Sequence, residues 1–246
     1  MFFMNFLKIF LSRHSFKHIR QTVIASASIL SLSISFNLPS LIASAQPTDP
    51  DPRWNGIIRD TSISGVAAAK AVQLVVNTLV DPIDITTGGF VAHALWVGTG
   101  SDSWVEVGYD REPDKDPDHN YYYWASGTPS SYTHVHKGYA IAGNYSEQQI
   151  IWDNNTKFWK FYFEGQFIGQ AANVGGPSSQ GVGVDAGLET TSDRNVSPPA
   201  PLYGMKYATL SNWIWQDWPN PNRIEDPPAR VYWVNPPFSA ETRMNQ

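Results

Sequence analysis

Between Val91 and Trp124 the chain reads VAHALWVGTGSDSWVEVGYDREPDKDPDHNYYYW, and its apolar and polar positions alternate with the two-residue period of a β-strand. Trp104, Glu106 and Gly108 fall on one face, and Val105, Val107 and Tyr109 on the other. The second face predicts a core contact. The first sets a Trp beside an isolated carboxylate and predicts the floor of a binding cleft. An ordinary half-buried strand with its Glu in water has the same pattern, so alternation alone gives Glu106 no role.

The same rhythm continues along the chain. In Val66 to Asn77 the alanines permit a helix, but Val66, Val72, Leu74 and Val76 on alternate positions favour a strand. Tyr132 to Ile141, Glu147 to Trp152 and Phe158 to Phe163 are short aromatic or β-branched runs. Asn154-Asn155 and Glu164-Gly165 predict turns between antiparallel neighbours. After a Gly, Pro and Ser-rich stretch from Ala171 to Gln180, the strand Val182 to Thr190 puts Gly183, Asp185, Gly187 and Glu189 on one face. Glycines beside an acid leave room for a ligand near the backbone or allow a bend in a curved sheet. Met205 to Leu210 and Val231 to Val234 predict the last strands. No segment keeps a long 3.6-residue pattern. The expected fold is therefore all-β: an antiparallel β-sandwich of the jelly-roll, concanavalin-like kind, in one domain over residues 56–246.

The first 45 residues do not share this pattern. Lys8, Arg13, Lys17 and Arg20, with no acid among them, precede an apolar run from Val23 to Ile42 that ends in Ala43-Ser44-Ala45. This predicts an export signal, residues 1–45, cleaved before Gln46. The alternative, an uncleaved anchor, fits less well with the serines in the run and the small-residue end. Residues 46–55, beginning QPTDPDPR, predict an extended lead-in. Removing the signal takes four of the 17 bases and none of the 22 acids, so the remaining chain carries a net charge of about −9. That balance argues against nucleic acid or an anionic membrane as partner. The sequence has no cysteine, which removes thiol chemistry and disulfide staples and suits a secreted or periplasmic bacterial protein.

Candidate chemistry is confined to carboxylates, histidines and aromatics, because HExxH, G-x-S-x-G and phosphate-loop patterns are missing. His134 and His136 lie two apart on an expected strand and could point to one side as metal ligands. Spacing supplies no third ligand, and two exposed strand histidines explain the pair, so no metal and no cofactor is expected. Asp110, Glu112, Asp114, Asp116, Asp118 and Asn120 alternate like the oxygen ligands of a calcium loop, but the turn glycine is missing and Pro113 and Pro117 stiffen it. Trp213, Trp215 and Trp218 form a cluster suited either to stacking on sugar rings or to packing over an end of the sandwich.

The succession Trp96-Val97-Gly98, Trp104-Val105-Glu106-Val107-Gly108-Tyr109 and Tyr121 to Trp124 resembles the glutamic peptidases of the eqolisin and neprosin types. The resemblance is clear over about 60 residues, Gly65 to Trp124. It implies a β-sandwich in which Glu106 occupies the catalytic position that is Gln in eqolisins and Glu in neprosins. It implies Glu189, in Ala186-Gly187-Leu188-Glu189, as the second catalytic glutamate. The cysteines of neprosin-type chains are absent, and the aromatic strand reads YYYWASG. The resemblance predicts an exported endopeptidase acting at acidic pH. Trp104, Trp124 and Asp185 are expected to line its substrate cleft. The alternative is a non-catalytic extracellular sandwich that binds glycan or peptide, with Trp104, Trp124 and the Trp213 to Trp218 cluster as stacking surface.

Overall fold

Alternating apolar residues form two layers of strands because each strand can bury one face against the other layer. The computed structural model describes residues 53–85, 88–100, 102–112, 118–178 and 183–245. The expected signal segment, residues 1–45, and residues 46–52 of the lead-in lie outside the described residues. In chain order the first strands are β1 (Trp54–Asp60), β2 (Val66–Leu74), β3 (Val91–Gly100), β4 (Ser103–Arg111), β5 (Asn120–Thr128), β6 (Ser131–Ala140) and β7 (Tyr145–Asp153). They continue with β8 (Phe158–Phe163), β9 (Gln166–Ala171), β10 (Val184–Thr190), β11 (Ser197–Thr209) and β12 (Asn212–Asp217), then β13 (Asn222–Glu225), β14 (Arg230–Asn235) and β15 (Ser239–Met244). The described helix is the single turn Pro82–Ile85.

One sheet has seven strands in the order β13-β1-β10-β3-β4-β5-β6, and the other runs β14-β15-β11-β2-β7-β8-β9 with β12 paired to β11. Neighbouring strands are antiparallel throughout. The result is the expected antiparallel β-sandwich. The domain starts slightly earlier than expected, since β1 begins at Trp54 inside the expected lead-in.

The core lies between the sheets. Leu95 and Val97 of β3, Val105 and Val107 of β4, and Val184 and Ala186 of β10 meet Ile150, Trp159 and Phe161 of the facing sheet. Tyr109 crosses the layer: its hydroxyl donates to the Leu74 carbonyl at 2.9 Å, and its ring stacks on buried His93 at 5.1 Å. The seven-stranded sheet therefore turns its apolar residues inward. Its other face carries Trp96, Glu106, Asp185 and Glu189. A Cβ on Gly108 would sit 2.3 Å from the His93 carbonyl oxygen, so only glycine fits beside β3 there.

Candidate active site

The residues on that outer face are aligned by the strand register. Asp185 pairs with Trp96, Trp96 with Glu106, Glu106 with Ala125 and Ala125 with His134, which makes one row across β10, β3, β4, β5 and β6. Glu189 belongs to another row, opposite Ala92, which in turn pairs with Asp110. The two candidate catalytic acids are thus not direct neighbours in the sheet. They nevertheless line the same cleft, about 1100 Å³, together with Arg53, Trp96, Trp104 and Asp185.

Glu106 is buried, 7% exposed, at the floor of this cleft. Its Oε2 accepts hydrogen bonds from Trp96 Nε1 at 2.8 Å and Trp104 Nε1 at 2.9 Å. Tyr123, from β5, also hydrogen-bonds to it. Burial raises the pKa of Glu106 above the ordinary carboxylate range, and the charge of Glu189 raises it further; the bonds from Tyr123 and Trp104 oppose the rise. The two carboxylates line one cleft without a hydrogen bond between them. Trp104 can lie flat in the cleft because β5 offers Gly127 beneath it: a Cβ there would fall 2.1 Å from the indole.

Glu189 is anchored differently. Arg53 Nη1 donates to its Oε1 at 2.6 Å, so a residue of the expected lead-in supplies a cation to the second acid. Asp185 also reaches the cleft, but Arg59 grips it through Nε and Nη2, at 2.9 Å to Oδ1 and 2.7 Å to Oδ2. Burial raises the Asp185 pKa, and Arg59 opposes that rise. Asp185 therefore builds the cleft wall in partnership with Arg59.

The expectation that Trp124 lines the cleft is corrected. It pairs with Val107, an inward residue, and its ring stacks on Phe161 with centroids 5.0 Å apart and planes 12° from parallel. The two-residue alternation places its neighbours Tyr123 and Ala125 on the cleft face instead. Trp96, which carries no role in the sequence pattern beyond the family resemblance, is the second cleft indole. Folding the β3–β4 hairpin about its tip already pairs it with Glu106, so register alone is a signal for it. The Trp213 to Trp218 cluster is also away from the cleft. Trp213 and Trp215 stand on β12 beside the opposite sheet, with Lys70 over the Trp215 ring at 5.2 Å, and Trp218 is buried in the core.

At the β6 side of the cleft, His134 and His136 meet Asp110 and Glu112. His134 Nδ1 is 3.0 Å from Glu112 Oε1, its Nε2 is 3.0 Å from Asp110 Oδ2, and His136 Nε2 is 2.9 Å from Asp110 Oδ1. Burial disfavours a charged His134, but the two carboxylates outweigh it and lift its pKa to about 9. The alternating acidic loop is only partly described. Asn120 turns away, donating to the Val76 carbonyl at 2.7 Å and accepting from Thr78 at 2.9 Å, and residues 113–117 lie outside the described residues.

No family model matches the chain, and no curated protein matches its sequence. Solved structures do match its fold. Scytalidoglutamic peptidase, solved with a peptide-based transition-state analogue, superposes with a TM-score of 0.55 at 9% identity, over 78% of this chain and 98% of its own. The eqolisin SCP-B, solved with the tripeptide Ala-Ile-His, gives 0.51 at 8% identity over the same shares. A Bacillus licheniformis β-glucanase superposes more loosely, with a TM-score of 0.33 at 14% identity, over 76% of this chain and 70% of its own. Sequence motif and backbone architecture point the same way, and the chain has the β-sandwich fold of the glutamic peptidases.

Proposed function

We propose that this chain is an exported glutamic-type endopeptidase that hydrolyses peptide bonds in acid, with Glu106 and Glu189 as its working pair. The observation that carries the reading is the state of Glu106: buried, held by two indole N–H groups on one oxygen, and raised in pKa beside a second cleft carboxylate. A peptide carbonyl is a poor electrophile, so hydrolysis needs a base for the water and a donor for the developing oxyanion. Glu189, with a guanidinium on Oε1, is suited to the ionised role. It takes a proton from a water as the water oxygen adds to the carbonyl carbon.

Glu106, protonated, donates to the carbonyl oxygen as negative charge develops there. Since Oε2 accepts both indole bonds, the proton belongs on Oε1. When the tetrahedral species collapses, the C–N bond breaks and the proton held by Glu189 passes to the leaving amine. The peptide-based ligand of one similar structure and the tripeptide of the other support a peptide as the substrate class. The non-catalytic binding alternative is less well supported, because Trp124 and the Trp213 to Trp218 cluster do not reach the cleft.

The test is incubation of the purified protein with an unfolded protein substrate from about pH 2 to about pH 8, a range that brackets ordinary carboxylate titration, followed by mass spectrometry of the products. Internal cleavage strongest at the acid end is expected. Absence of cleavage at every pH would overturn the proposal and leave the binding module.

A further inference from the structure

Two features of the sequence that peptide hydrolysis leaves unused, the histidine pair of β6 and the start of the acidic loop, meet in space. We propose that Asp110, His134 and His136, with Glu112 behind His134, form a site for one divalent transition-metal ion of the zinc class. One donor atom from each of these four residues can be chosen so that all lie within 4.8 Å of one another. Asp110 is buried and the other three are partly buried, so the group is not a solvated acidic face.

Distances fit the ion. Zinc holds nitrogen and oxygen donors at about 2.0–2.2 Å, which puts neighbouring donors of a tetrahedral site about 3.3 Å apart. The Asp110 oxygens lie 3.0 Å from His134 Nε2 and 2.9 Å from His136 Nε2, so the cage needs to open by only a few tenths of an ångström. The two histidines reach the same side because they alternate on β6. Ala125 and Tyr123 of β5 separate them in register from Glu106 and Gly108 of β4.

A carboxylate also stands behind one of the imidazoles: Glu112 Oε1 lies 3.0 Å from His134 Nδ1, the position from which a carboxylate orients a metal-binding imidazole. Two imidazoles with a carboxylate select zinc, cobalt, nickel or copper ions over calcium or magnesium, which favour oxygen donors. The site uses neither Glu106 nor Glu189 and does not depend on the peptidase reading.

Calorimetric titration of the chelator-treated protein with Zn²⁺ is expected to show one saturable site per chain. His134→Ala combined with His136→Ala should weaken it by at least about 100-fold, and Asp110→Asn by about 10-fold or more. Glu106→Gln and Glu189→Gln should bind as the wild type does, which separates this site from the hydrolytic pair. X-ray absorption of the zinc-loaded wild type needs no variant to fold and should show two imidazoles in a nitrogen and oxygen shell. No saturable binding, binding undiminished in a folded double-histidine variant, or a shell without imidazole would each overturn the site. The cluster would then be an ion-pair network alone.

Discussion

Replacing Trp124 separates a core role from a cleft role, and the structure sets the size of the effect. Trp124 is 8% exposed and stacked on Phe161. An aromatic side chain of this kind buries on the order of 150–250 Å², which at about 25 cal/mol per Å² corresponds to about 4–6 kcal/mol. Part of this is offset, because Trp124 Nε1 is buried with no hydrogen-bond partner among the described residues, at a cost of about 1–3 kcal/mol. Trp124→Ala removes both contributions, so it should destabilise the protein by about 3 kcal/mol, the low end for large-to-small core changes. Trp124→Phe keeps a ring against Phe161 and removes the orphaned N–H, so it should cost within about 1 kcal/mol. Urea unfolding at constant m-value measures both. If Trp124→Ala shifted stability by less than about 1 kcal/mol while abolishing cleavage or ligand retention, the indole would belong in the cleft and the assigned β5 parity would be wrong.

His93, buried between Tyr109 and Ser197, is held neutral by burial, which lowers its pKa from 6.5 to about 3. Below pH 6.5 the unfolded chain takes up a proton that the folded chain refuses, so stability should fall as pH drops through that window towards about 3. His93→Gln should remove this part of the slope in pH-dependent urea melts; an unchanged slope would rule out His93 as its source. Glu106 has the opposite sign. Its pKa is raised by burial and by Glu189, so its contribution to stability is present in acid and lost as pH rises from the ordinary carboxylate range through the raised value. Glu106→Gln should flatten that loss. Trp104→Phe removes one of two indole donors that favour ionised Glu106, so the alkaline limb of the pH–activity profile should move to higher pH. A limb that stays in place or moves down would separate Glu106 from that ionisation.

The alternation of β4 and β10 is legible in the sequence because one face of each is apolar throughout, Val105, Val107 and Tyr109 in β4 and Val184, Ala186 and Leu188 in β10. Residue order by itself marks Glu106 and Glu189 as outward groups. The hairpin turns at Asn154-Asn155 and Glu164-Gly165 are equally readable. Trp124 is ambiguous because an aromatic residue suits both a core and a cleft, and only its pairing with Val107 decides between them. The strands β13 and β15 leave little trace in the sequence because Asn222–Glu225 and Ser239–Met244 are short and polar, with little apolar alternation. The start of β11 is hidden by Pro198, Pro199 and Pro201, where register shifts interrupt its pairing with β15. Spacing cannot reveal the partners of the histidine pair, since Asp110 approaches His134 and His136 across an intervening strand.

The central claim is that Glu189 removes the proton from the attacking water while Glu106 donates. Its most direct test is kcat/KM at acidic pH for the wild type, Glu189→Gln and Glu106→Gln on one fluorogenic peptide, with each variant's fold verified by its melting curve. An amide cannot act as the base, so Glu189→Gln should lose about 10²–10⁴-fold. Glu106→Gln should keep a measurable fraction, because an amide N–H can still donate to the oxyanion. Wild-type rates in folded Glu189→Gln would contradict the assignment of the base and, with it, the account of the cleft.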